Sequence, residues 1–349
     1  MNRTEASVHR GRVRERALTL RTPATGLVLV TAIAGWAALS ALRSGGNAGP
    51  LVALCLTCAI AWGAGYLAAT RAVSAVVPGL VAAAGALVLA MPGFWAEMRS
   101  PLGPPLGYAN ANAALFVQAE VAALMLFALS SRPWQRVAAG VLAGVFALVP
   151  MLIGSVAASI LAVGLAAAAV LRRSRWVPAA CALGLAVAVA ATAMVGALGT
   201  GQRLVEGSRR PVLWGEAFSI MAARPVWGVG PQRFAETAPT ALADPDAAWA
   251  HNEFLQQGAE TGVPGLVLLA ALFAWALTQA AGGAIGAAGV AALGMHATVD
   301  YVLHFAAVPV AGALLAGFAA GHVRKQGAES FRGRQASRRQ ARAAGVGAP

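Results

Sequence analysis

The ionisable side chains of this chain that could do chemistry gather in one polar stretch, residues 198–261, between two long apolar regions. It carries His251 and five arginines: Arg203, Arg209, Arg210, Arg224 and Arg233. An imidazole ionises near neutrality and can take a proton from a hydroxyl. Guanidinium groups bind anionic oxygens through paired hydrogen bonds. Around them the chain has recognisable local order. Leu213, Trp214, Ala217, Phe218 and Met221 recur at helical spacing, with Pro211 fit for a first turn and Pro225 for a stop. That predicts an amphipathic helix over 210–223, either lying at the membrane interface with Trp214 at headgroup depth or packed on its neighbours. The pair Gly228-x-Gly230 reads as a turn. His251-Asn252-Glu253 then leads into the apolar residues beyond Gly262. The stretch has one Asp-x-Asp, Asp244-Pro245-Asp246, which reads as a turn, and no His-x-x-x-His cluster, so neither metal nor cofactor is expected.

Composition sets the frame that must hold these groups. Of 349 residues, 58% are hydrophobic and only 11% charged, which excludes an ordinary soluble domain and a disordered chain. A membrane-crossing helix needs about 20 apolar residues. Ten candidate spans follow, near 23–42, 51–70, 74–94, 110–130, 137–152, 154–171, 176–197, 262–281, 284–303 and 305–322. The expected fold is therefore an all-α polytopic bundle with one large extracytoplasmic loop holding short amphipathic helices. It divides into a basic cytoplasmic tail (1–22), an N-terminal bundle (23–197), the loop (198–261), C-terminal membrane helices (262–322) and a second basic, irregular cytoplasmic tail (323–349). With the N-terminus inside, 19 of the 26 Lys and Arg fall on the inner side and 7 on the outer, as the positive-inside rule expects. The plasma membrane is the expected location, with both termini cytoplasmic. The basic tails read as contacts to anionic lipid headgroups, not nucleic acid, because no aromatic residues or folded module accompany the charge. Basic groups kept on the disfavoured outer side imply a local use, of which binding an anion is the simplest.

His251-Asn252, nine residues, then Gly262-x-x-Gly265 resembles the signature of the O-antigen ligase and polymerase family. Arg210-x-x-Leu213-Trp214 and Pro225-x-x-Gly228-x-Gly230-x-x-x-Phe234 resemble that family's approach to the histidine. Gly107-Tyr108-Ala109-Asn110-Ala111-Asn112 resembles the opening of its matching span, and His296-x-x-x-Asp300 its C-terminal helix. The resemblance implies a metal-independent membrane glycosyltransferase. It would move a glycan from a polyprenyl diphosphate carrier to an acceptor hydroxyl, on a glycan or a lipid, at the outer face. It further implies that His251 is the base or orienting group and that Arg210 contacts the diphosphate, with Asn252, Gly262, Gly265 and Trp214 in support. Diphosphate is already a good leaving group, so such an enzyme needs charge stabilisation more than covalent chemistry. Many members carry a Ser-Arg pair where this chain reads Gly154-Ser155-Val156. Either Arg99, Arg203 or Arg209 substitutes for the missing cation, or the chain is a weakened or inactive relative.

Other residues have two readings each. His296 and Asp300, four apart on one predicted helical face, either orient His251 or tie helices together. Asn110 and Asn112 either cap a helix or bind sugar. Glu120 in mid-span is either functional or a neutral structural group. Tyr301 and His304 read as interface residues, and Cys55-x-x-Cys58 as small lipid- or core-facing groups. Two further functions stand beside glycan transfer: a non-catalytic partner of a glycan assembly system, and a polysaccharide or lipid transporter. No internal repeat supports the transporter.

Overall fold

The computed structural model describes residues 23–71, 75–198, 209–244 and 247–343. Arg203 and the N-terminal tail lie outside the described residues. The described chain is all-helical, with helices α1 (Pro23–Ser44), α2 (Gly49–Thr70), α3 (Val76–Leu89), α4 (Pro92–Glu97), α5 (Ala109–Leu129), α6 (Pro133–Ile153), α7 (Val156–Val170), α8 (Val177–Leu198), α9 (Arg210–Ala223), α10 (Pro239–Ala243), α11 (Glu253–Ala280), α12 (Ala284–Ala297) and α13 (Ala307–Ala343). Each of the ten expected spans has a helix. Seven are long and apolar enough to cross a membrane; α3, α7 and α12 are apolar but shorter. A 14-residue helix rises only about 21 Å, so these three depend on their neighbours to bridge the bilayer. The protein is a multi-pass membrane protein.

Helix α5 stands at the centre. Phe116, Val117, Gln118, Glu120 and Val121 are all buried, and α3, α6, α7, α12 and α13 surround it. Glu120 Oε2 has no partner there. Large apolar side chains such as Leu27, Ile60, Leu80 and Val141 are exposed on the outer helix faces, where lipid would cover them. Helices α2 and α13 pack along their length, because Gly317 and Gly321 bring the α13 backbone against the carbonyls of Trp62 and Tyr66.

Two boundaries differ from the sequence reading. Helix α13 continues to Ala343, where an irregular tail was expected from residue 323; Arg, Gln and Ala are strong helix formers and extend the span without a break. Helix α11 begins at Glu253, not near Gly262, and is kinked at Gly262, whose φ is 75°. The kink explains a whole motif. Pro264 has no N–H for the Glu260 carbonyl, and the kink diverts the Val263 N–H to Pro225. The carbonyls of Ala259, Glu260 and Thr261 would be orphaned. They are taken by the amides of Val229 and Gly230 and by the Trp36 indole, at 3.0, 2.9 and 2.8 Å. The Pro225–Gly230 turn therefore seals a broken helix, and Trp36 stacks on Trp227 at 4.7 Å beside it. Gly262→Ala is expected to lower stability by about 1–3 kcal/mol, since a side chain there meets strained φ and the Val226 carbonyl together. Thermal unfolding in detergent measures it.

Helix α9 packs on the bundle and does not lie free at an interface. It buries Pro211, Leu213 and Ala217. Leu213 and Ala217 share a small core with Phe234, Ala238, Leu255 and Ala259. That core fixes the start of α9 relative to the start of α11, and so places Arg210 near His251.

Candidate active site

His251 occupies the turn just before α11, with φ of 51°, a left-handed value that histidine tolerates better than most residues. Its own backbone and the residue after it are both tied down. The Trp214 indole donates to the His251 carbonyl at 3.2 Å. Asn252 caps α11 by accepting the Leu255 amide at 3.0 Å. The imidazole is thereby aimed at Asp300, with Nδ1 to Oδ1 at 3.1 Å.

Asp300 is the centre of the site. Its carboxylate is 1% exposed and accepts from five groups. These are the Tyr108 hydroxyl (2.9 Å), the Asn110 amide (2.6 Å), the Arg210 guanidinium (3.0 Å), His251 Nδ1 (3.1 Å) and the Tyr301 backbone N–H (2.9 Å). Four separate stretches of chain meet on one carboxylate. Burial alone would raise the Asp300 carboxyl, but the His251 hydrogen bond and the Arg210 charge outweigh it and hold it below its ordinary value. With Asp300 ionised, Nδ1 of His251 carries the proton and Nε2 is left as an acceptor.

Tyr301 packs edge-on against the His251 ring at 4.8 Å, and Tyr108 stacks on Tyr301 at 4.7 Å. Burial, then the adjacent Asp300 charge, raises both phenols, that of Tyr301 to about 12, so both stay protonated donors. On the far side of Tyr301, Trp249 lies 5.7 Å away, and His304 Nδ1 meets Glu253 Oε1 at 3.0 Å. Desolvation disfavours the His304 imidazolium, but the carboxylates of Glu253 and Glu260 outweigh it and raise its value above 6.5. A raised value contributes stability that is complete below 6.5 and lost as pH rises through the folded value. The lowered value of Asp300 works oppositely: its contribution is complete above 3.8 and lost only on stronger acidification. The melting temperature is therefore expected to fall as pH rises above 6.5, and His304→Gln to flatten that slope, as read by tryptophan fluorescence.

Of the expected site residues, the structure brings His251, Arg210, Asp300 and Asn110 together, with Trp214 and Asn252 holding the histidine's backbone. Others fall elsewhere. Arg209 forms an ion pair with Asp244 at the entrance to α9 and does not reach Asp300. Arg99 donates to the Leu152 carbonyl at 2.9 Å, beside the Gly154–Ser155 turn, and is exposed. Asn112 is fully buried and spent on the loop before α5, bonding the Gly103 and Pro104 carbonyls and the Leu106 amide. Neither asparagine caps α5, whose cap position is Tyr108. Gly262 and Gly265 lie at the kink; a side chain on Gly265 would strike Thr261. His296 and Asp300 do not share a helical face, because α12 ends at Ala297. His296 remains joined to Asp300 through its carbonyl, at 3.0 Å from the Asp300 amide, and its buried Nε2 has no partner. Trp249 and Glu253 went unassigned in the sequence; Tyr108 stood there only as part of the motif opening α5, and Tyr301 and His304 read as interface residues, whereas the structure packs Tyr301 against His251 and pairs His304 with Glu253. The tyrosines had one signal: the chain holds only three, and two stand at this site.

Residues 106–270 match the family described as O-antigen ligase. The matched segment holds Tyr108, Asn110, Arg210 and His251, while Asp300 lies beyond it. No curated protein matches the chain.

Proposed function

We propose that this O-antigen ligase-like membrane protein transfers a glycan from a polyprenyl diphosphate donor to an acceptor hydroxyl at the outer membrane face. His251 is the base, and Arg210 the cation that receives the leaving diphosphate. The observation that carries this reading is one buried carboxylate holding an imidazole and a guanidinium side by side, at 3.1 and 3.0 Å. The acceptor hydroxyl gives its proton to His251 Nε2 as its oxygen bonds to the donor's anomeric carbon. The bond from that carbon to the diphosphate oxygen breaks, and its electron pair leaves with the diphosphate. Arg210 keeps N–H groups for that charge, since only NH2 is engaged by Asp300 and its side chain is 35% exposed. Its setting supports the role. Arg209 and Arg210 open a 14-residue helix, where the macrodipole already disfavours cations, so an anion bound there relieves both. Residues just before α5, α11 and α13 and the first residue of α9 meet at one end of the bundle, opposite Arg71, Arg132 and Arg172. The positive-inside rule puts that end outside and both termini in the cytoplasm.

Arg210→Ala is expected to weaken binding of a polyprenyl-diphosphate oligosaccharide by about 10- to 100-fold, the worth of a charge-assisted hydrogen bond of about 1.5–3 kcal/mol. Equilibrium binding to the reconstituted protein measures it. Unchanged donor affinity removes Arg210 from the site.

A further inference from the structure

Helix α13 outruns the neighbour it packs on. Against α2 it presents glycines: a side chain at Gly317 would strike the Trp62 carbonyl, and one at Gly321 the Tyr66 carbonyl and Ala69. Helix α2 ends at Thr70, beside Gly321, while α13 continues to Ala343. The packing stripe does not end with its partner. From Gly317 and Gly321 it runs on through Arg324, Ala328, Phe331 and Gln335, in alternating steps of four and three. That spacing keeps one side of a helix turned toward one neighbouring helix. Yet none of residues 324–337 is buried, and Phe331, midway along the bare stripe, is 56% exposed.

Charge is sorted around this stripe. At about 100° per residue, Arg324, Lys325, Arg332 and Arg334 fall on the half of the helix that carries Phe331, and so do positions 338, 339 and 342, all arginine in the sequence. The other half holds Gln326, Ser330, Ser337 and the one acid of the segment, Glu329. Among the described residues, no ion pair engages Arg324, Lys325, Arg332 or Arg334. The positive-inside rule asks for basic residues at this end, but not for their gathering on one face around an aromatic ring. Reach and charge narrow what can cover that face. Lipid headgroups meet Arg324 and Lys325. Phe331 stands about 15 Å along the axis beyond Gly321, against a screening length of about 8 Å in physiological salt. A second copy of α13 would set like charge against like. The N-terminal tail and the loops holding Arg71, Arg132 and Arg172 are basic as well.

We infer that α13 beyond Val323 is a docking helix for another protein at the cytoplasmic face. Its partner is an acidic amphipathic helix that continues where α2 stops, with apolar groups on Ala328 and Phe331 and carboxylates toward Arg324, Arg332 and Arg334. The inference uses the membrane orientation proposed above and none of the roles proposed for His251 and Arg210.

The full-length protein in phosphatidylcholine nanodiscs is titrated with a fluorescein-labelled heptad-repeat peptide, leucine at a and d and glutamate at e and g, in about 0.15 M salt. Saturable binding is expected by fluorescence anisotropy. Phe331→Ser should weaken it on the order of tenfold, as loss of an aromatic anchor does. Arg332→Glu combined with Arg334→Glu should abolish it, and Ser330→Ala, on the opposite half, should leave it unchanged. All four positions are exposed, so the fold survives each change. The inference is overturned if the peptide does not bind, or if unstructured polyglutamate binds as tightly and ignores Phe331→Ser, which would leave charge alone. It is equally overturned if phosphatidylglycerol in the nanodisc or single-stranded RNA displaces the peptide, which would give the face to lipid or to nucleic acid.

Discussion

Asp300→Ala is expected to be the most damaging single substitution in the site, lowering stability by about 3–5 kcal/mol and abolishing transfer. The reason is the number of groups that depend on one carboxylate. Tyr108, Asn110, Arg210, His251 and the Tyr301 amide all donate to it in a setting only 1% exposed. Removing the acceptor leaves buried donors unpaired and one guanidinium without its counter-charge. Asp300→Asn separates the two effects. It keeps the volume but turns an N–H toward one of these donors and removes the charge that fixes the His251 tautomer. More of the fold should survive than in the alanine variant, with transfer reduced on the order of 10²–10⁴-fold. Thermal melting and initial transfer rates of both variants, side by side, check this. If Asp300→Asn transfers at the wild-type rate, His251 does not depend on Asp300.

His251→Asn is expected to lower transfer by about 10²–10⁴-fold while leaving donor affinity and melting temperature nearly unchanged. Asparagine accepts the left-handed backbone that residue 251 adopts, at φ of 51°, where alanine would add strain. It cannot take a proton at neutral pH. The Trp214 bond goes to the backbone carbonyl of residue 251 and survives the change. A loss in turnover without a loss in binding is the signature of a group acting on the transferred proton. A parallel loss of donor binding would instead mark residue 251 as part of the diphosphate pocket.

Much of the fold was legible because hydropathy is a local signal. Each apolar run between Pro23 and Val323 became a helix, and even the break near Pro150 and Gly154 lies where α6 ends, with Gly154 left-handed at φ of 92°. The motif around His251 and Arg210 singled both out, and the structure brings them onto one carboxylate. The group that joins them was only half legible. Asp300 was expected on a helix with His296, and nothing local ends that helix: residues 297–301, Ala-Thr-Val-Asp-Tyr, contain neither glycine nor proline. What accompanies the break is long-range. Asp300 bonds partners as far as 192 positions away, and a helical Asp300 would compete with those bonds. The same blindness affected Arg209, which differs from Arg210 by one position but points to Asp244, and Asn112, which differs from Asn110 by two and is consumed by the loop before α5. Spacing names the residue types at a site; which neighbour turns inward is decided by packing.

The most direct measurement is chain transfer by the purified protein in liposomes, supplied from the outer side with a polyprenyl-diphosphate oligosaccharide and a glycolipid acceptor. Wild type should form the joined glycolipid and release the polyprenyl diphosphate, and His251→Asn should bind the donor yet form almost none. Product from His251→Asn at the wild-type rate, or donor consumed only when presented from the cytoplasmic side, would contradict the account.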